Sequence, residues 1–266
     1  MSSASERLRA EIEKNLHRGD IRAEVHESLP STNDRARALA LSGANANTLV
    51  VALSQTAGRG RQGRCFFSPD GGVYMSLLLR PEGLDNPERI TVAAAVATAK
   101  AMEKISCKAA KIKWVNDVFV DGKKVSGILT EGGFSADGRA WAALGIGVNL
   151  SAPEDGFPET LRGVAGAVLP ESTAAQRGAL IAEIVENFLE LYENPDENAL
   201  YDAYCARDLL RGSTVYITLN NTETEALALG IDRDFALRVR LPDGREKSLR
   251  SGEARARPAK GKMREL

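Results

Sequence analysis

The chain has 266 residues, 43% of them hydrophobic, and a formal net charge of -1. That length and apolar share allow a large domain with a smaller one beside it, and the near-neutral balance excludes a general nucleic-acid binder held by overall charge. Cys65, Cys107 and Cys205 are far apart and odd in number, which excludes a disulfide framework and fits reduced thiols. With no apolar run of about 18 residues and no signal-peptide pattern, a cytoplasmic protein away from the membrane is expected.

Residues 5 to 18 read as a helix, with Leu8, Ile12 and Leu16 four apart and Gly19 as its stop. His17 and His26 lack metal-ligand spacing and read as ordinary surface positions, so no structural zinc is expected. Residues 21 to 29 read as a strand. Ser31-Thr32-Asn33 then opens a short helix with Ala36, Leu39 and Ala40 inward; these polar groups either cap the helix or bind a ligand at its positive end.

The apolar run Leu49 to Leu53 reads as a strand, and Ser54 to Arg64 follows it. Gly58, Gly60 and Gly63 let the backbone turn tightly and let a ligand come close. Arg59, Arg61 and Arg64 put three fixed charges on the same loop, and guanidinium groups hold carboxylates and phosphates through paired, charge-assisted bonds. A small anionic ligand at a sheet edge is one reading; a solvated basic loop or an RGG-like tether for nucleic acid are the others. No Lys-Ser/Thr closes the loop as in a P-loop, and G-x-G-x-x-G is absent. Cys65 beside the arginines reads as an inert packed thiol.

Gly72 to Arg80 reads as a buried strand. Asn86-Pro87-Glu88 starts a helix that runs to Ile105, with Ala93, Ala94, Ala97 and Ala101 small enough for close packing on a sheet. Lys111 to Asp117 and Val118 to Asp121 lead to an Asp121-Gly122 hairpin signal, Lys123 to Leu129 is the returning strand, and Asp137-Gly138 marks a second hairpin. The next strand ends in Gly145-Ile146-Gly147-Val148-Asn149, where glycines point to close approach by a ligand or another backbone. Residues 152 to 171 form a loop, and Thr173 to Gln176 is a capping box. Helices follow over Leu180 to Leu191 and about 198 to 210. From Gly212 short strands at Thr214–Leu219, Ala226–Ile231, Ala236–Leu241 and Glu246–Arg250, the last after an Asp243-Gly244 turn, suggest a small antiparallel barrel. The tail from Ala259 is charged.

Lys113 and Lys124 flank the segment from Trp114 to Asp121. A lysine is a compact cation able to neutralise phosphate charge, and Asn116 and Asp117 offer oxygen ligands suited to Mg²⁺. The same residues also read as a polar turn with solvated lysines, and Trp114 as either core packing or a platform for a ring.

Together these stretches resemble the biotin protein ligase family. The likeness rests on Ser31-Thr32-Asn33, on Gln55 to Arg64, on Lys113-Trp114-Val115-Asn116-Asp117, on Lys124 with Gly127-Ile128-Leu129, and on Gly145 to Asn149; Ser251-Gly252-Glu253 with Arg255 fits the family's small barrel. The resemblance implies an α+β, class II synthetase-like catalytic domain over residues 1 to 210, with a mixed sheet and helices mainly on one side, then an SH3-like barrel over 211 to 266. It implies formation of biotinyl-5′-AMP from biotin and ATP with Mg²⁺, then transfer of biotin to a lysine of a biotin carboxyl carrier domain, with no permanently bound cofactor. It assigns Lys113 as the main electrostatic catalyst, with Arg61 and Arg59 beside it. It places biotin against Ser31, Thr32, Asn33, Gln55, Trp114 and Lys124, the loop residues Gly58, Arg59, Gly60 and Arg61, and Gly127, Gly145 and Gly147. It places ATP against Arg61, Arg64, Phe66, Lys113, Asn116 and Asn149, and Mg²⁺ at Asn116 and Asp117.

The arginine loop is expected to close over the water-sensitive adenylate and to lack order without it. Two departures stand out: Val115 replaces the family's usual Pro, and Cys65-Phe66-Phe67 replaces a Trp after the last loop arginine. With one helix before the first strand, no DNA-binding or repressor role is expected; the protein is expected to be a monomer or homodimer. A lipoate or octanoate protein ligase and a non-catalytic biotin-binding module are the alternatives.

Overall fold

The structure, a computed structural model, describes residues 2–83, 87–218 and 222–250, and the backbone of 219 and 254–258. Asn86 at the expected helix start, Ser251-Gly252-Glu253 and the tail from Ala259 lie outside these residues.

Helix α1 (Ala4–Asn15) opens with a capping box between Ser3 and Glu6 and buries Leu8 and Ile12. It ends before the expected Gly19, because Leu16 turns to extended backbone and caps the helix through its N–H on Ile12 O. Strand β1 (Arg22–Leu29), helix α2 (Thr32–Leu41), strands β2 (Thr48–Gln55) and β3 (Val73–Leu79), and helix α3 (Pro87–Ser106) then follow. Strands β4 (Ala110–Lys113), β5 (Asp117–Val120), β6 (Lys123–Phe134) and β7 (Ala140–Val148) complete one sheet of order β1-β2-β3-β7-β6-β5-β4. The β1–β2 pair is parallel and the other pairs antiparallel. The Asp121-Gly122 turn has positive φ at both residues, 49° and 70°, as a two-residue hairpin of this hand requires.

Side chains alternate across this sheet. One face carries Leu49, Val51 and Leu53 of β2, Val73, Met75, Leu77 and Leu79 of β3, and Ala142, Leu144, Ile146 and Val148 of β7; all belong to the main core with α3 and α4. The α3 interior is almost entirely alanine, valine and threonine from Thr91 to Ala99, so this helix lies close to the strands. Such burial stabilises by roughly 1.5–3 kcal/mol for each large aliphatic side chain. The opposite face is covered only in part: α2 packs Ala36 and Ala40 onto Val50, Leu78, Trp141 and Ala143. The rest of that face holds the site.

Helix α4 (Ala174–Glu193) starts at the Thr173–Gln176 capping box, as the sequence indicates. Helix α5 (Glu197–Cys205) is shorter than expected, because the backbone after it leaves to pair with β4: Ile112 N–H donates to Arg207 O at 2.7 Å and Leu209 N–H to Ile112 O at 2.9 Å. Strands β8 (Thr214–Leu219), β9 (Thr222–Ile231), β10 (Leu237–Arg240), β11 (Glu246–Leu249) and β12 (Ala254–Pro258) form a five-stranded antiparallel sheet of order β11-β10-β9-β8-β12. The sequence reading lacked β12. Val215, Ile217, Leu237 and Val239 of this sheet join the main core, and the buried Trp114 indole N–H donates to Phe235 O at 3.0 Å. Among the described residues no helix is long and apolar enough to cross a membrane.

Candidate active site

The floor of the site follows from strand register. His26, Ala52, Tyr74, Gly147, Gly127, Asp117 and Lys113 are successive partners across all seven strands, so their side chains share the face away from the main core. One step along, Val50, Ser76, Gly145 and Leu129 are partners in the same way. Glycine where both rows cross β7, and where the first crosses β6, leaves the sheet bare, and two side chains occupy the space. A Cβ at Gly145 would lie 2.2 Å from Asn33 Oδ1, and one at Gly147 would lie 2.6 Å from the Phe66 ring. Gly127 also faces Phe66, at 3.1 Å.

Ser31 caps α2, its hydroxyl facing Asp34 N–H at 3.4 Å, so the polar run does both things the sequence left open: it starts the helix and lines the cleft. Thr32 and Asn33, in the first turn, are 4% and 3% exposed, so each needs internal partners. Thr32 N–H donates to Gln55 Oε1 at 2.9 Å, and Gln55 Nε2 donates to Ser68 Oγ at 2.9 Å. Ser76 Oγ donates to Asn33 Oδ1 at 2.6 Å and lies 2.8 Å from Thr32 Oγ1. Asn33 Nδ2 donates to Glu131 Oε2 at 2.8 Å and to Leu129 O at 3.2 Å. Ser76, Ser68 and Glu131 are partners that the sequence reading missed. A serine inside an otherwise apolar buried strand was the available signal for Ser76; for the other two only the fold supplies it.

The arginine loop has a defined path. Arg59 bridges Cys65 across it, Gly60 N–H donates to Arg64 O at 2.7 Å, and Phe66 N–H to Gly58 O at 2.8 Å. Its tip is a single 3-10 turn, Arg61–Gly63, with positive φ at Gln62 and Gly63. Gly58 is the stem: a Cβ there would sit 2.4 Å from Phe66 O. Cys65 is exposed, so it is not the packed thiol expected.

The cations gather where loop and sheet meet. Arg61 Nη1 donates to Asn116 Oδ1 at 3.0 Å, and Asn116 Nδ2 donates to Ile128 O at 2.8 Å. Lys124 Nζ stands 2.7 Å from Asp117 Oδ1. Simple alternation from Gly127 would put Lys124 on the core face; the register shift between β5 and β6, where Val118 pairs with Ser126 and Phe119 with Lys124, brings it to the site face. Bulges re-aim side chains in this way. The loop after β7 holds this strand from outside, with Lys124 N–H on Val164 O and Gly166 N–H on Lys124 O, both 2.9 Å.

These elements line one open cleft. Ser31, Thr32, Asn33 and Gln55 line one end, Arg59 to Arg61 with Arg64 cover it, and Asn116, Asp117 and Lys124 close the other. Phe66 lies on the glycine floor, against Gly127 and Gly147. Four assigned residues do not line the cleft: Gly58 sits in the loop stem, and the other three lie elsewhere. Trp114 is buried toward the C-terminal sheet, which favours its packing role over the ring platform. Asn149 Nδ2 donates to Gly166 O at 3.2 Å and fastens the following loop. Lys113 lies one strand beyond the cleft, on the edge strand β4. Burial holds the Lys113 ammonium below the usual lysine range; Asp117 opposes this, while Lys124 and Arg64 add to it. A cation in that state favours an arriving anion.

Residues 25–149 match the Biotin/lipoate A/B protein ligase family. The chain is 34% identical over 231 residues to the bifunctional ligase/repressor BirA of Bacillus subtilis, covering 84% of this chain and 70% of that protein. It is 34% identical over 231 residues to the biotin–acetyl-CoA-carboxylase ligase of Paracoccus denitrificans, covering 81% and 93%. The solved structure of the biotin protein ligase from Aquifex aeolicus in complex with biotin and ATP superposes with a TM-score of 0.75 at 26% identity, over 90% of this chain and 99% of that one. The mixed sheet joined to a small antiparallel sheet thus agrees in fold with that solved structure, and with the sequence matches it places the protein: the chain belongs to the biotin protein ligase family.

Proposed function

We propose that the chain is an ATP-dependent biotin protein ligase whose cleft joins the biotin carboxylate to AMP and then passes the biotinyl group to a lysine of a carrier domain. The observation that carries this reading is the arrangement of the cleft: neutral hydrogen-bonding groups at one end, fixed cations at the other, glycine between. A ureido ring needs donors and acceptors together, and Ser31, Thr32 and Gln55 offer them. A carboxylate approaching a triphosphate needs cations already in place, and Arg61, Arg64 and Lys124 stand there.

In the first step a biotin carboxylate oxygen attacks the α-phosphorus and pyrophosphate leaves. Lys124 is the lysine lining the cleft and takes the role of neutralising charge at that centre; Lys113, further out, adds positive potential for the departing phosphates. This reverses the emphasis of the sequence reading, which gave Lys113 the principal part. In the second step the carrier's ε-amine attacks the acyl carbon and AMP leaves, with the loop excluding water. The oxygens of Asn116 and Asp117 assigned to Mg²⁺ face Arg61 and Lys124, and among the described residues no group of three His, Cys, Asp or Glu is placed to hold an ion by itself. Mg²⁺ therefore belongs to this reading as a companion of the substrate triphosphate. In this reading residues 1–210 are the catalytic unit and 211–266 the smaller one, whose Phe235 carbonyl holds the Trp114 indole.

The test is incubation of the purified protein with Mg-ATP and either biotin or lipoate, scored by mass spectrometry for the acyl adenylate and for the mass added to a carrier domain. Biotinyl-AMP and a biotinylated lysine are expected. Product with lipoate alone, or none with either, overturns the reading.

A further inference from the structure

Resting on that reading, we propose that Arg59, Asp34 and Glu131 form a latch that holds the arginine loop over the cleft, and that Glu131 is a positioning residue linking the latch to the vitamin pocket. Arg59 Nη2 lies 2.6 Å from Glu131 Oε2 and 2.8 Å from Asp34 Oδ1. The two carboxylates come from separate elements, Asp34 from the first turn of α2 and Glu131 from β6. Arg59 sits in the loop stem, where its backbone bridges Cys65. One guanidinium therefore fastens the loop to the helix and to the sheet at once.

The same Glu131 oxygen accepts from Asn33 Nδ2 at 2.8 Å. Asn33 in turn accepts from Ser76 and lies over Gly145. The chain Arg59–Glu131–Asn33–Ser76 thus runs from loop to pocket floor without a gap. Arg59 is turned to two acids on separate elements, which assigns it to closing the cleft; Arg61 and Lys124 instead pair with Asn116 and Asp117 inside the cleft. The ion pairs are about one third to one half exposed, with side-chain accessibilities of 36% for Arg59, 49% for Asp34 and 33% for Glu131. Ion pairs at that exposure are individually weak and screened by salt, so this latch opens and closes reversibly and opens more readily at high ionic strength.

The experiment compares Glu131→Gln, Arg59→Ala and the double variant with the parent protein. Glu131→Gln keeps an acceptor for Asn33 and removes the charge that holds Arg59. Two rates are read: release of pre-formed biotinyl-AMP into a chase, and amide hydrogen exchange over residues 58–66. Each single variant is expected to release adenylate about fivefold faster and to exchange the loop faster. The double variant is expected to go no faster than Arg59→Ala, which alone removes both ion pairs of the latch. Added salt is expected to speed release from the parent and to affect Glu131→Gln much less. Unchanged release and exchange in both singles, or additive effects in the double, overturn the latch. Loop exchange needs no ligand, so if the parent makes no adenylate the functional reading fails separately while exchange still decides the latch.

Discussion

The two faces of the seven-stranded sheet are made from the same strands and do opposite work. On the core face β3 and β7 present Val73, Met75, Leu77 and Leu79, then Ala142, Leu144, Ile146 and Val148, and helices α3 and α4 seal them. On the other face the same strands present Tyr74, Ser76, Gly145 and Gly147, and a polar helix start and a charged loop take the place of the helix layer. The contrast shows how one strand can serve both: alternation lets every second residue be chosen for packing and every other one for recognition. Loss on the core face should appear as instability, and loss on the site face as failed chemistry in a protein that still folds.

The strongest break of this comparison is Lys124→Ala, expected to lower the rate of adenylate formation by about 10²–10³, the effect of removing one pre-placed electrostatic group, with little change in melting temperature. Pre-steady-state quench with labelled ATP measures it; a rate within threefold of the parent would contradict the role. The core-face counterpart is Leu144→Ala, which should cost about 2–5 kcal/mol of stability by opening a cavity, read by denaturant unfolding, with biotin affinity retained at a temperature where the variant stays folded.

Gly145→Ala sharpens the contrast one residue away. The added methyl would meet Asn33 Oδ1 at 2.2 Å, and displacing the α2 start should cost about 1–3 kcal/mol, seen in calorimetry as roughly tenfold or greater loss of biotin affinity. Trp114→Phe removes the indole N–H and leaves Phe235 O buried without its donor, a cost of about 1–3 kcal/mol; thermal unfolding should show it, and binding in the cleft should change little.

The smallest expected effect concerns pH. Lys113 has a lowered pKa from burial, so in the free protein it gives up its proton below the usual lysine value. An adenylate anion favours the charged form, so affinity for a non-hydrolysable adenylate is expected to be fully present below the lowered pKa and to fall as pH rises through it. Lys113→Arg stays charged and should flatten that alkaline fall. For the free protein the sign is opposite: between the lowered pKa and the usual one the unfolded chain binds more protons, so this residue makes stability rise with pH there.

How much of this was legible in the sequence depends on how local each signal is. Caps and turns were readable because their chemistry lies within a few residues: Thr173 with Gln176, Asp121 with Gly122, Ser31 before α2. The floor glycines were readable as places of close approach, but not what approaches; Asn33 and Phe66 reach them only through the fold. Lys124 shows why the remainder was hidden. Its face depends on a register shift between β5 and β6, and nothing in the alternation of Lys123 to Leu129 signals that shift. Lys113 and Trp114 are adjacent in a motif-like run, yet the strand sends one toward the site face and the other toward the C-terminal sheet. The early end of α5 and the strand β12 depend on partners far away in the chain.

The claim that this cleft activates a vitamin carboxylate with cations of the site face is tested most directly by biotin-dependent exchange of labelled pyrophosphate into ATP, run side by side on the parent, Lys124→Ala and Lys113→Ala. The account predicts exchange in the parent, near-complete loss in Lys124→Ala and a smaller loss in Lys113→Ala. Exchange that persists in Lys124→Ala while vanishing in Lys113→Ala, or a parent that exchanges nothing with biotin, would contradict it.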